Sequence, residues 1–158
     1  MTDLTEEEFL GCVVGMRKTL YRVCYGLLRR EADREDAVSE CVRKALLKRG
    51  TLRDERAFRA WMIRILVNEC HSIHRRAARE TLMDEMPERP SPRDPAAALR
   101  EAILSLPEKL RLPVILHYMD GYPLSDVAQA LHVPEGTVKS RLARARERLK
   151  DVLSDEEV

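Results

Sequence analysis

Apolar residues in this chain recur every three or four positions almost throughout, and no stretch alternates at the two-residue period of a strand. That periodicity restricts the fold to helices packed on helices, because a 3.6-residue repeat gathers apolar side chains along one stripe of a helix. Aromatic residues are only 4% of the composition, so Leu, Val, Ile and Ala must fill the core. A chain of 158 residues has room for one domain or two small ones.

Punctuation residues divide the periodic pattern into elements. Thr5 and Glu8 form a capping box that opens a first helix, whose apolar positions include Phe9, Leu10, Val13, Val14, Leu20, Cys24, Leu27 and Leu28. Asp33 and Asp36 mark a second start, since carboxylates suit a helix N-terminus. Its stripe is Val38, Cys41, Val42, Ala45 and Leu46, and Gly50 ends it. A third helix is expected from near Asp54 to about Arg79, carrying Phe58, Trp61, Met62, Ile65 and Leu66. Pro87, Pro90, Pro92 and Pro95 are half of the eight prolines, and they predict an extended, solvated linker over 86–96. Two units follow, an N-terminal bundle over 1–85 and a smaller C-terminal unit over 97–158.

The C-terminal unit restarts as helix near Ala96. Pro107 fits the first turn of a helix running to about Tyr118, and Asp120-Gly121 makes a turn. Pro123 opens a short helix with Val127, Ala128 and Leu131 inward, and His132-Val133 is a tight connection. Pro134 opens the last helix, where Val138, Leu142, Ala145, Leu149 and Val152 make one apolar face. The fold class expected is all-α, two helical domains joined by the proline-rich segment.

The formal net charge is only +1, but the charge is segregated. From Thr137 to Leu153 six basic residues face two acidic ones, a local +4. From Arg53 to Arg79 seven basic residues face three acidic ones, again +4. Ahead of both, Glu31 to Glu40 holds five acids and one Arg, a local −4. Two Arg-rich surfaces on separate units suit one polyanion touched at two places, because the guanidinium fork fits phosphate and guanine edges. The acidic helix calls for a different, basic partner.

A short helix, a tight turn and a longer basic helix make the helix-turn-helix pattern. Val127, Ala128, Leu131, Val138 and Leu142 would form the wedge between its helices. Gly136 and Thr137 let the backbone approach DNA, and the helix N-terminus favours phosphate. Thr137, Lys139, Ser140, Arg141 and Arg144 are the candidate groove and backbone contacts, with Arg148 reaching phosphate only. Upstream, Arg64, Asn68, His71 and Arg75 fall at i, i+4, i+7 and i+11, one helix face on which Asn can read base edges and Arg grip phosphate.

The stretch Leu124 to Leu142, and above all Pro134-Glu135-Gly136-Thr137-Val138-Lys139-Ser140-Arg141, resembles region 4 of bacterial sigma factors. Leu106-Pro107-Glu108-Lys109-Leu110-Arg111 resembles the helix that starts that region; His132 stands where the family commonly has Gly. Asp33 to Glu40 is similar to the acidic helix of sigma region 2. Phe58 to Glu69 looks like the Trp-containing helix that meets the promoter's minus-ten element. With regions 1 and 3 of larger sigma factors missing from the pattern, the match is to the extracytoplasmic-function (ECF) type.

The resemblance implies roles. Asp33, Glu35, Asp36 and Glu40 would dock on the clamp of the largest subunit of core RNA polymerase. Arg64, Asn68, His71, Arg75 and Arg76 would meet the minus-ten element, and the tip helix the minus-35 element of promoter DNA. The loop from Gly50 to Arg56 matches where family members hold an unstacked base. Ser72 stands where the family usually has Asp. An anti-sigma protein is a further implied partner.

Two rival readings are a stand-alone helix-turn-helix regulator and a metal-dependent enzyme using Cys70, His71 and His74. The Cys70-His71-x-x-His74 stretch offers too few ligands for a closed zinc site, and no cofactor is expected. No phosphate-binding glycine loop, nucleophile elbow or paired-carboxylate site is legible, so the chain is not expected to be an enzyme. No apolar run approaches the ~18 residues of a membrane span. Met1 to Glu8 is acidic, unlike a signal peptide. A cytoplasmic protein with reduced, mostly buried cysteines is therefore expected.

Overall fold

A computed structural model describes residues 4–79 and 95–156. Among the described residues there is helix and no strand. Most of the expected linker, 86–94, lies outside the described residues, while Pro95 and Ala96 already belong to a helix.

The N-terminal half is built from four helices. The capping box forms as expected: Glu8 N–H donates to Thr5 Oγ1 at 3.2 Å and Thr5 N–H donates to Glu8 Oε2 at 3.1 Å, opening α1 (Glu6–Gly15). The stripe from Phe9 to Leu28 is not one helix. It breaks at Met16 (φ −98°, ψ 0°), just after Gly15, and resumes as α2 (Arg17–Leu27). α3 (Glu31–Lys48) starts two residues ahead of Asp33, behind Arg30, which provides no side-chain cap. Asp54 accepts from the Arg56 N–H at 2.9 Å and so caps a short 3-10 turn that leads into α4 (Phe58–Arg79).

Phe9 anchors the centre of this half, edge-on to Phe58 at a ring separation of 5.8 Å. Leu20, Val23, Cys24, Cys41, Met62, Ile63, Leu66 and Cys70 are sealed around it. Trp61 is half-buried beside Phe58, with ring centroids 6.2 Å apart, as part of this packing.

The C-terminal half comprises α5 (Pro95–Leu104), α6 (Glu108–Pro113), α7 (Leu124–Leu131) and α8 (Glu135–Glu156). Pro113 removes a backbone donor, and the chain beyond it widens into a π-helical segment, Val114–Met119. Gly121 (φ 72°) ends that segment, with Tyr122 N–H returning to the Leu116 carbonyl at 2.9 Å. The turn between α7 and α8 is made by His132 in the left-handed region (φ 58°, ψ 44°). Val127, Val138, Leu142 and Ala145 are buried between α7 and α8 and carry the expected wedge.

The two halves pack against each other. Their buried apolar residues form one continuous cluster, with α7 lying on α4 and α6 near α2. Gly26 on α2 permits a close approach: a Cβ there would collide with Ile115 Cδ1.

Candidate nucleic-acid interface

On α8 the apolar stripe Val138, Leu142, Ala145 and Leu149 faces inward. Thr137, Arg141, Arg144 and Arg148 follow one another at i, i+4, i+7 and i+11 and share the outer face. Arg144 and Arg148 are exposed, while Thr137 and Arg141 are half-buried. Ser140 is at the edge of that face, its hydroxyl donating to the Gly136 carbonyl at 3.0 Å. Lys139 stands on the opposite flank of the apolar stripe from Arg141. Arg146 bonds the Tyr118 hydroxyl and ties α8 to the π-helical segment.

On α4, Arg64, Asn68 and His71 come together along one cavity of about 240 Å³, and Arg75 continues their face as an exposed side chain. Arg76 is on another face, near enough to α3 for its charge to favour the ionised form of Glu40. Ahead of α4, Leu52 is buried while Arg53, Asp54 and Arg56 are exposed, so the preceding loop is anchored at one point and open at the rest.

The segment Cys70 to His74 does not converge on a common centre. Cys70 is buried against Cys24, with sulfurs 3.9 Å apart. His71 Nε2 is 3.0 Å from Glu108 Oε1, and His74 Nε2 is 2.6 Å from the Leu27 carbonyl.

The first half of α3 is predominantly negative at its surface for a local reason. The one Arg within Glu31–Glu40, Arg34, turns back toward α2, donating to the carbonyls of Leu28 (2.9 Å) and Arg29 (3.0 Å) and stacking over Tyr25 at 4.4 Å. Glu35 and Asp36 are left exposed, and Asp33 and Glu40 half-exposed. Arg43 hydrogen-bonds Glu40 and holds its carboxyl below the usual carboxylate range. Leu47, 71% exposed, continues the face of Asp36, Glu40 and Arg43. An apolar residue at an outward phase of the helix was the signal available in the sequence, and a reading built on inward stripes passes over it. Glu108 and Gly26 were missed too, because their partners are 37 and 89 residues away.

No helix among the described residues is long and apolar enough to cross a membrane. The family model for Sigma-70 region 2 matches residues 13–80, and that for Sigma-70 region 4 matches residues 96–149. The chain is 38% identical to the ECF RNA polymerase sigma factor SigM of Mycobacterium tuberculosis, over 86% of this chain and 72% of that one. It is 26% identical to the ECF sigma factor SigW of Bacillus subtilis, over 95% and 91%. Its fold is similar to that of the sigma factor RpoE of Bartonella quintana, solved in complex with the anti-sigma factor NepR, with a TM-score of 0.79, 25% identity, and coverage of 94% of this chain and 98% of that one. An acidic helix, a Trp-bearing basic helix and a C-terminal helix-turn-helix thus occur in the order and place of sigma regions 2 and 4, and the chain belongs to the ECF sigma factors.

Proposed function

We propose that this chain binds core RNA polymerase through the outward face of α3 and directs it to promoters by reading two DNA elements. Asp33, Glu35, Asp36 and Glu40 dock on the largest-subunit clamp. Arg64, Asn68, His71, Arg75 and Arg76 meet the minus-ten element, and Thr137, Lys139, Ser140, Arg141, Arg144 and Arg148 meet the minus-35 element. The working units are residues 1–85 and 97–158. The observation that carries the reading is the pairing, on one chain, of an acidic first half of α3, whose Arg34 turns away to bond backbone carbonyls, with a basic tip helix. Each weak contact raises the effective concentration of the other once both units sit on the polymerase.

The chemistry of RNA synthesis belongs to the polymerase, so the chain itself is not an enzyme, and it works in the cytoplasm. A relative solved with an anti-sigma factor supports a partner of that kind here. Run-off transcription with core polymerase and genomic DNA tests the reading. Added chain should produce discrete start sites preceded by two shared elements. Start sites that do not change on adding the chain would overturn it. Tight binding of one duplex site by the chain alone would favour a stand-alone regulator instead.

A further inference from the structure

An open groove of about 480 Å³ runs between α2, α5 and the π-helical segment. Its lining divides by chemistry. Ile103 and Leu104 of α5, Ile115 and Met119 of the π-helical segment and the bare backbone of Gly26 make an aliphatic floor. Tyr21 and Tyr25, one turn apart on α2, wall one side. Tyr21, Tyr25 and Met119 are 36%, 46% and 41% exposed, so large apolar side chains stay in contact with solvent here. The charged members are all cations, Lys18 and Arg22 of α2 and Arg100 of α5, with no carboxylate among the lining residues. Arg22 is already neutralised by Asp120. Lys18 makes no ion pair among the described residues. Arg100 gives its Nε–H to the Ala96 carbonyl of its own helix at 3.3 Å, which leaves the two terminal nitrogens for another acceptor. The order along α2 makes the groove polar at one end: Lys18, Arg22 and Gly26 follow at i, i+4 and i+8, charge first and bare backbone against Ile115 last.

We propose that this groove binds a small amphiphilic anion, one aliphatic chain ending in a carboxylate. The chain lies on the floor of Ile103, Leu104, Ile115 and Met119, between the tyrosine wall and α5. Lys18 and Arg100, one from each side, hold the head. The volume is within the range of small-ligand sites, which are mostly apolar with a few polar groups that fix orientation. Each methylene taken from water onto the floor contributes about fourfold in affinity. A carboxylate between an ammonium and a guanidinium makes charge-assisted hydrogen bonds, the strong kind. It also supplies the counter-charge that the lining lacks. The stems of Lys18 and Arg100 can lie along the apolar walls while their heads stay at the rim. A nucleic-acid strand fits less well, because it would set a charged phosphate at every unit against an aliphatic floor that offers no hydrogen bond.

The test is calorimetric titration of the full chain with octanoate and decanoate below their micellar range, with butyrate as the head-only probe and 1-octanol as the chain-only probe. Octanoate should bind saturably at one site, and decanoate about tenfold tighter, as two further methylenes require. Butyrate should give no binding heat, and 1-octanol should bind about tenfold more weakly than octanoate. Lys18→Glu/Arg100→Glu should weaken octanoate about tenfold or more, because like charge then meets the head. Both side chains are exposed, so circular dichroism of the variant should match the parent's. Lys18→Ala alone, the milder change, should weaken octanoate about threefold. A diazirine-bearing dodecanoate should label peptides of α2 and α5 on illumination, and octanoate should suppress the labelling. Octanol binding as tightly as octanoate, unsaturable uptake, an affinity unchanged by the double variant, or label confined to other helices would each overturn the proposal. Displacement of the label by a thymidine oligonucleotide would give the face to nucleic acid. A chain that sediments as a dimer and takes no label would give it to a second copy. Either result would overturn the assignment of a small anion.

Discussion

Lys44 on α3 forms an ion pair with Glu69 on α4, and Glu69 is only 6% exposed. Among the described residues it is the one charged side chain buried between the helix proposed to hold polymerase and the helix proposed to read DNA. Removing the ammonium leaves a carboxylate in the core without its counter-charge. Lys44→Met should therefore lower the unfolding free energy by about 1–3 kcal/mol, read by urea denaturation. Lys44→Met/Glu69→Met should recover much of that loss, because two apolar chains of similar shape leave no stranded charge. A double variant no more stable than Lys44→Met would show that the pair does more than neutralise Glu69.

The turn of the helix-turn-helix is the clearest case in which sequence and structure meet. His132 occupies a left-handed conformation (φ 58°, ψ 44°) that Gly adopts without steric cost. His132→Gly should stabilise the chain by about 0.5 kcal/mol, the relief of an L-residue in that region less the added freedom of the unfolded chain. His132→Val should destabilise it by about 1–2 kcal/mol, since a β-branched side chain fits that region worst. Thermal midpoints of the two variants moving in the same direction would contradict the reading.

What was legible in the sequence was local. The capping box at Thr5, the helix start near Asp54, the turn at Gly121 and the stripe of α8 each depend on residues within a few positions of one another. The break at Met16 was not legible, because the apolar residues from Phe9 to Leu27 keep one helical phase across it. The pairing of Glu108 with His71 and the seat of Ile115 on Gly26 were hidden for a different reason: neither residue carries a pattern, and their meaning comes from elements brought together by the fold. Of the proposed minus-ten residues, spacing grouped Arg64, Asn68, His71 and Arg75 on one face. Arg76 came from the family pattern, and its charge instead reaches Glu40.

The buried thiols set an alkaline limit. Burial, with Cys24 and Glu69 nearby, pushes the Cys41 thiol up to about 12. The Cys24 sulfur contact and burial raise Cys70 as well. In the unfolded chain these thiols ionise near their ordinary value of about 8.5, so above that pH the unfolded state loses protons that the folded state keeps. Stability is then fully present below about pH 8.5 and falls as pH rises toward 12, by up to ~1.4 kcal/mol per pH unit for each such thiol. Cys41→Ala should flatten the decline between pH 8.5 and 10.5 relative to the parent, as measured by urea midpoints. In the native state a thiol reagent at pH 8 should modify Cys12 quickly and the three buried cysteines only at the rate of opening. Rapid modification of all four would contradict the packing.

Charge reversal on α3 separates docking from folding. Asp36 is exposed and Glu40 is bonded only to Arg43 on the same helix, so neither supports the core. Asp36→Lys/Glu40→Lys should leave the thermal midpoint close to the parent's and weaken capture by core polymerase about tenfold or more, because like charges set against each other at an interface cost several kcal/mol. The loss should shrink as salt is raised, since exposed charges are screened. Full capture of polymerase by the doubly reversed chain would remove α3 from the interface.

Two arginines on the outer face of α8 should fail in different ways. Arg141 is half-buried near the helix N-terminus, where a guanidinium can reach a base edge; Arg148 is exposed two turns further along, where it meets only backbone. With core polymerase present, Arg141→Ala should cost about 1–3 kcal/mol at the upstream element and flatten the preference at one base pair. Arg148→Ala should weaken all upstream sequences alike and reduce the slope of log affinity against log salt by about one. The measurement is promoter affinity of the reconstituted polymerase across salt, on templates substituted base by base through the upstream element. A uniform loss from Arg141→Ala, with the salt slope reduced as for Arg148→Ala, would make Arg141 a phosphate contact and move the reading of bases to Thr137 and Ser140.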